Sequence, residues 1–224
     1  MSKFKYIFVF VTSSMFLVGG FSQRHALACE LIQYSNYTKL SPRIFVSQSF
    51  NAEKQQRLLS LIESATARVD TTFGQPISEP TIVVVANEDE ASDFGTNPYG
   101  STLLSPLGEC VIIGYKGHNI DVIAHEYVHA EVHHRIGWLN YLLGVPIWFS
   151  EGIALLVDFR EPYTIKNIDL ESEFIGRVRA GSFDFSVASY QAAKVLLNNI
   201  DTAQLYENLE LLKNGQSIEN VFAL

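Results

Sequence analysis

The apolar and polar positions change period along the chain. Ile44-Phe45-Val46 and Thr81-Ile82-Val83-Val84-Val85-Ala86 are short β-branched or aromatic runs of the kind that fill buried strands. Between them the spacing turns helical. Leu58, Leu59, Ile62, Ala65 and Val69 recur every three or four residues, Asn51 is placed to cap the start, and Gly74 and Pro76 stop the run. The pattern predicts a helix from Asn51 to about Phe73. Cys110-Val111-Ile112-Ile113, set between Gly108 and Gly114, predicts another strand. Residues 87–106 are acidic and rich in Gly, Pro and Ser, which predicts a long surface loop. Its Glu88, Asp89, Glu90 and Asp93 form either a solvated face or a cation-binding cluster. From Asn119 onward nearly everything has helical spacing.

Strands first and helices afterwards, without strict alternation, indicate an α+β chain. The expected architecture is a small mixed sheet within residues 29–118, followed by a helical half over 119–224. The 224 residues, 47% hydrophobic and 18% charged, suit one globular domain or two small ones sharing a core. They exclude a disordered or collagen-like chain. The net charge is −8, and Lys3, Lys5 and Arg24 fall in the first 28 residues, where there is no Asp or Glu. Without that segment 13 of the 16 basic residues face 24 acidic ones, a net −11. No basic stripe offsets this, so nucleic-acid binding is not expected.

The first 28 residues have the three parts of a secretory signal. Lys3 and Lys5 precede an apolar run from Tyr6 to Gly20, and Ala26-Leu27-Ala28 offers a small-residue cleavage site. The run is interrupted by Thr12, Ser13 and Ser14 and is short for a hydrocarbon core of about 30 Å. The expectation is a secreted or periplasmic protein with residues 1–28 removed. The alternatives are a segment retained as a membrane anchor, or a lipid carried on Cys29. An oxidising compartment would let the two cysteines, Cys29 and Cys110, form a disulfide. Two unrelated thiols are the other reading.

Chemistry concentrates after Asn119, which can cap a helix that Gly137 ends. Inside it lies His125-Glu126-Tyr127-Val128-His129. Histidines at i and i+4 project from one helical face, so both imidazoles can ligate one metal ion. Glu126 lies beside that line, where its carboxylate can take a proton from metal-bound water. His133 continues the i+4 series and His134 follows it. Three ligands spanning two turns of a straight helix reach a tetrahedral ion poorly. These two are therefore surface or supporting residues, or else a secondary metal site. The better third ligand is Glu151, in Val145-Pro146-Ile147-Trp148-Phe149-Ser150-Glu151-Gly152-Ile153-Ala154. Pro146 suits a first helical turn, and Ile147, Trp148, Ile153, Ala154 and Val157 give the segment a buried face. An unpaired carboxylate amid such residues is costly, and a metal removes that cost. His125, His129 and Glu151 then form a His₂Glu set with a fourth position open, the catalytic zinc pattern.

His125-Glu126-x-x-His129 followed by Pro146-x-Trp148-x-x-Glu151-Gly152-x-Ala154 resembles the gluzincin metallopeptidases, specifically the compact peptidase MA-like domains. The resemblance covers roughly residues 80–222 and makes 29–224 a gluzincin-like domain. It implies one Zn²⁺ per chain held by His125, His129 and Glu151, with Glu126 as general base and then proton donor. It implies a peptide or protein substrate lying along an edge strand, for which residues 109–114 are the expected strand. It also implies an oxyanion-stabilising Tyr or His, for which Tyr190 is the nominee; ordinary helix packing is the other reading of Tyr190. The chain departs from the family in two places. Where thermolysin-like enzymes have an Asp four residues after the ligand Glu, this chain has Leu155, which leaves Asp121 and Asp158 as candidates to orient a histidine. The Gly-x-Met-Glu-Asn motif of the aminopeptidases is absent, which argues against an aminopeptidase; the expected activity is that of an endopeptidase or a narrow-specificity processing enzyme. The alternative function is a catalytically weak domain of the same type that binds peptide or a partner protein without cutting.

Overall fold

The computed structural model describes residues 24–160 and 202–222. It is an α+β architecture, as expected: a five-stranded mixed sheet followed by a helical half. The strands are β1 (Thr38–Ser41), β2 (Ile44–Val46), β3 (Thr81–Val84), β4 (Gly100–Ser105) and β5 (Gly108–Ile113), in the order β1-β2-β3-β5-β4. The three interior strands run parallel, and each edge strand is antiparallel to its neighbour. The helices are α1 (Arg24–Glu30), α2 (Ala52–Phe73), α3 (Glu88–Asp93), α4 (Ile120–Ile136), α5 (Trp138–Gly144), α6 (Ile147–Ala154), α7 (Leu205–Lys213) and α8 (Ile218–Phe222).

Strand periodicity divides the core between the two faces of the sheet. Ile82, Val84, Val111 and Ile113 join the larger cluster with α2, α4 and α6. Val83, Val85, Cys110 and Ile112 join the smaller one with Cys29, Ile32, Phe45, Ala91 and Phe94. Cys29 and Cys110 form a disulfide, Cα to Cα 6.3 Å across 81 residues, which ties α1 to the interior strand β5. No described helix is long and apolar enough to cross a membrane; the apolar run after Lys5 lies outside the described residues.

Both long helices begin and end where their caps predict. The Asn51 side chain accepts from the Lys54 N–H, and the Asn119 side chain accepts from the Val122 N–H. Gly137 ends α4 with φ at +83°, a backbone state open to glycine. Helix α4 is buried nearly all round from Val122 to His133 because β4 and β5 cover one side and α2, α6 and α7 cover the rest. That enclosure brings three histidines, His125, His129 and His133, and two glutamates, Glu126 and Glu131, into the interior.

The expected loop over 87–106 is not one loop. Asn87 caps the short helix α3 through the Glu90 N–H, and residues 100–105 form edge strand β4. Of the acidic residues, Glu88, Asp89 and Asp93 are exposed, as a solvated face requires, while Glu90 is half-buried. Glu90 accepts from Ser47 Oγ at 2.7 Å and from the Ala86 N–H at 2.9 Å, so it fastens α3 to the sheet.

Candidate metal centre

The site is built on α4, α6 and β4. His125 and His129, one turn apart on α4, bring their Nε2 atoms to 3.2 Å from each other. Glu151 on α6 completes the group. Its Oε2 lies 3.2 Å from His125 Nε2 and its Oε1 lies 3.6 Å from His129 Nε2. One donor atom from each of the three residues falls within 4.8 Å of the others, so the group can hold a metal ion. Helix α6 starts at Pro146, which serves as its N-cap. Its buried face is centred on Phe149, Ser150, Ile153 and Ala154, while the expected Ile147 is exposed.

The remaining imidazole nitrogens are also engaged. Asp158 Oδ2 lies 3.3 Å from His125 Nδ1, and Ser150 Oγ lies 2.9 Å from His129 Nδ1. Supporting partners of this kind fix a ligand histidine in the tautomer that presents Nε2 to an ion. Of the two candidate orienting residues, Asp158 is the one that reaches a histidine of the group. It is fully buried and clamped by the Arg160 guanidinium. Asp121 instead accepts from Arg68 at 2.6 Å and from the Phe159 N–H at 3.1 Å. Arg68 also donates to the Val157 carbonyl at 2.9 Å, so Asp121 braces the segment that carries Asp158. This donor set fits a bound metal: two imidazoles with both Nδ1 atoms supported, and one carboxylate.

The charges of these side chains support one another. Burial opposes protonation of His125, but the carboxylates of Asp158 and Glu151 prevail and raise it to about 9. Burial likewise opposes the charge on Glu151, yet the His125 and His129 contacts hold its carboxyl well below the usual range. Asp158 is held low in the same way by Arg160 and His125.

Glu126 points to the other side of the pair, toward edge strand β4. The Thr102 hydroxyl lies 2.9 Å from Glu126 Oε2 and 2.8 Å from its backbone oxygen. Gly100 makes that approach possible: a Cβ there would lie 2.8 Å from the Ile112 carbonyl oxygen and 3.2 Å from Glu126 Cγ. The cleft over the site, about 290 Å³, is walled by β4 and by Tyr141, Val145 and Ile147. Tyr141 Oη is 2.7 Å from Ser150 Oγ. The edge beside the site is therefore β4. The expected strand, residues 109–114, is interior, because the segment before it folds back as an antiparallel partner.

His133 is 3% exposed, not a surface residue, and its Nδ1 lies 2.7 Å from Glu109 Oε1. His134 Nδ1 is 3.5 Å from the same oxygen. Burial opposes the charge on Glu109, but the His133 contact prevails and lowers its pKa. These residues border a larger cavity, about 570 Å³, which contains none of His125, His129 and Glu151. Among the described residues that group of three is the one that meets the geometry of a metal site. Tyr190 lies outside the described residues.

Thr102, Ser150 and Tyr141 were not singled out in the sequence. Ser150 carries one faint signal, a hydroxyl adjoining the ligand glutamate; the other two have none short of the tertiary fold. Comparison with protein-family models, curated proteins and solved structures returns no match to this chain.

Proposed function

We propose that this protein is an exported zinc-dependent metallopeptidase of gluzincin type, acting as an endopeptidase on peptide or protein substrates. The observation that carries the reading is the convergence of His125, His129 and Glu151 beside an independent carboxylate, Glu126, in one cleft. A structural metal site has no use for the fourth group, whereas hydrolysis requires a base. The disulfide fits the oxidising compartment that export implies.

Zinc, when bound, lowers the pKa of its water and polarises a carbonyl. The chain supplies the rest. Glu126 accepts the water proton and returns it to the departing amine, and Thr102 holds its carboxylate toward the cleft. Asp158 and Ser150 keep His125 and His129 aimed. Strand β4 offers its outer backbone groups to an extended peptide, which would add to the sheet edge.

The test is Glu126→Gln, assayed on a mixture of unstructured peptides. Hydrolysis should fall by about 10²–10⁴-fold with zinc content and fold unchanged. Hydrolysis at the wild-type rate would overturn the reading.

A further inference from the structure

We infer that Ser150 and Tyr141 form a hydrogen-bond relay in which metal binding at His129 sets the direction of the Tyr141 hydroxyl. This inference rests on the metal site proposed above and concerns residues to which neither ligation nor proton transfer is assigned.

Three distances carry it. His129 Nδ1 is 2.9 Å from Ser150 Oγ, and Ser150 Oγ is 2.7 Å from Tyr141 Oη. His129 Nε2 faces Glu151 and His125 in the ligand group. Ser150 is 4% exposed, so protein partners settle its hydrogen bonding. Without a metal the chain can run in either direction, since His129 can carry its proton on either nitrogen and each hydroxyl can donate or accept.

Ligation through Nε2 removes that freedom. Nε2 gives its lone pair to the ion, so the proton resides on Nδ1 and Nδ1–H donates to Ser150 Oγ. Ser150 then turns its own proton away from His129, and the acceptor at 2.7 Å is Tyr141 Oη. Tyr141 Oη accepts that bond, so its own O–H donates elsewhere. Tyr141 lines the cleft together with Glu126 and Glu151, and its hydroxyl proton is directed there. No bond is made or broken; only donor and acceptor roles change. Ser150 is thus a positioning residue for His129, and Tyr141 becomes a metal-dependent hydrogen-bond donor to an oxygen atom in the cleft.

The experiment is zinc titration of the full chain in a metal buffer, with the near-ultraviolet tyrosine difference spectrum recorded alongside. Wild type, Ser150→Ala, Ser150→Thr and Tyr141→Phe are compared, each checked for native far-ultraviolet dichroism. Ser150→Ala should weaken zinc binding by about 10–100-fold, the usual cost of removing a group that supports a ligand. Ser150→Thr, which keeps the hydroxyl, should restore wild-type affinity. Zinc should produce a tyrosine difference band in wild type and Ser150→Thr that is absent from Ser150→Ala and Tyr141→Phe, with Tyr141→Phe keeping near-normal affinity. Equal zinc affinity in Ser150→Ala and wild type, or an undiminished band in Tyr141→Phe, would overturn the relay alone. Failure of every form to bind zinc would overturn the relay and the metal site together.

Discussion

His125 is held by carboxylates on both sides, Asp158 at Nδ1 and Glu151 at Nε2. Without metal its protonated form is favoured up to about 9, above its ordinary 6.5. A raised histidine pKa contributes stability that is complete below 6.5 and is lost as pH climbs through 9. Glu151 and Asp158 have depressed values, so their contribution is present above their ordinary 4.5 and 3.8 and is lost as acid protonates them. The metal-free protein should therefore be most stable between about pH 4.5 and 6.5, with Tm falling on either side. Zinc competes with the proton on His125, so the Tm increment from added zinc should grow as pH rises from 6 toward 9. Thermal unfolding across pH, with and without zinc, checks both slopes. An increment that shrinks with rising pH would contradict the ligand role of His125.

At the scale of elements, the site depends on how closely β4 lies against α4. Gly100 permits that approach, and any Cβ there meets a backbone carbonyl of β5 and the Glu126 side chain. Gly100→Ala should cost about 1–3 kcal/mol of stability through overpacking, and should lower hydrolysis by moving Glu126 and Thr102. Denaturant unfolding together with peptide hydrolysis would show both effects; an unchanged protein would mean that the contact relaxes freely. The long helices were legible because Asn51, Asn119, Gly74 and Gly137 mark their ends and the apolar spacing fills them. Strand β4 was not. Gly100-Ser101-Thr102-Leu103-Leu104-Ser105 lacks alternation because Gly100 and Thr102 must accommodate Glu126 instead of filling a core. With β4 at the edge, the strand of residues 109–114, where the resemblance implies the edge, lies one place inside it.

At the scale of the whole molecule, two of the long-range ties among the described residues join distant elements. Cys29–Cys110 fixes α1 to the sheet across 81 residues, and Arg68 joins α2 to the segments carrying Asp121 and Val157. Replacing both cysteines by serine should lower stability by about 2–5 kcal/mol, measured by denaturant unfolding, because a long loop is freed in the unfolded chain. The site should survive, since Cys29 and Cys110 pack in the smaller cluster, on the face of the sheet opposite α4. Zinc affinity of the double variant, compared at equal folded fraction, checks this. The cysteine pair and the trio His125, His129 and Glu151 were legible because residue type limits the possible partners. Ser150 and Tyr141 were hidden because common residues acquire their roles only through contacts across α4, α5 and α6.

The metal content of the purified protein, by elemental mass spectrometry, beside that of Glu151→Ala, tests the centre of this picture most directly. A His₂Glu site predicts about one zinc per chain, weakened or lost in the variant. A protein that takes up no metal after incubation with zinc, or a Glu151→Ala variant that retains it unchanged, would contradict the site.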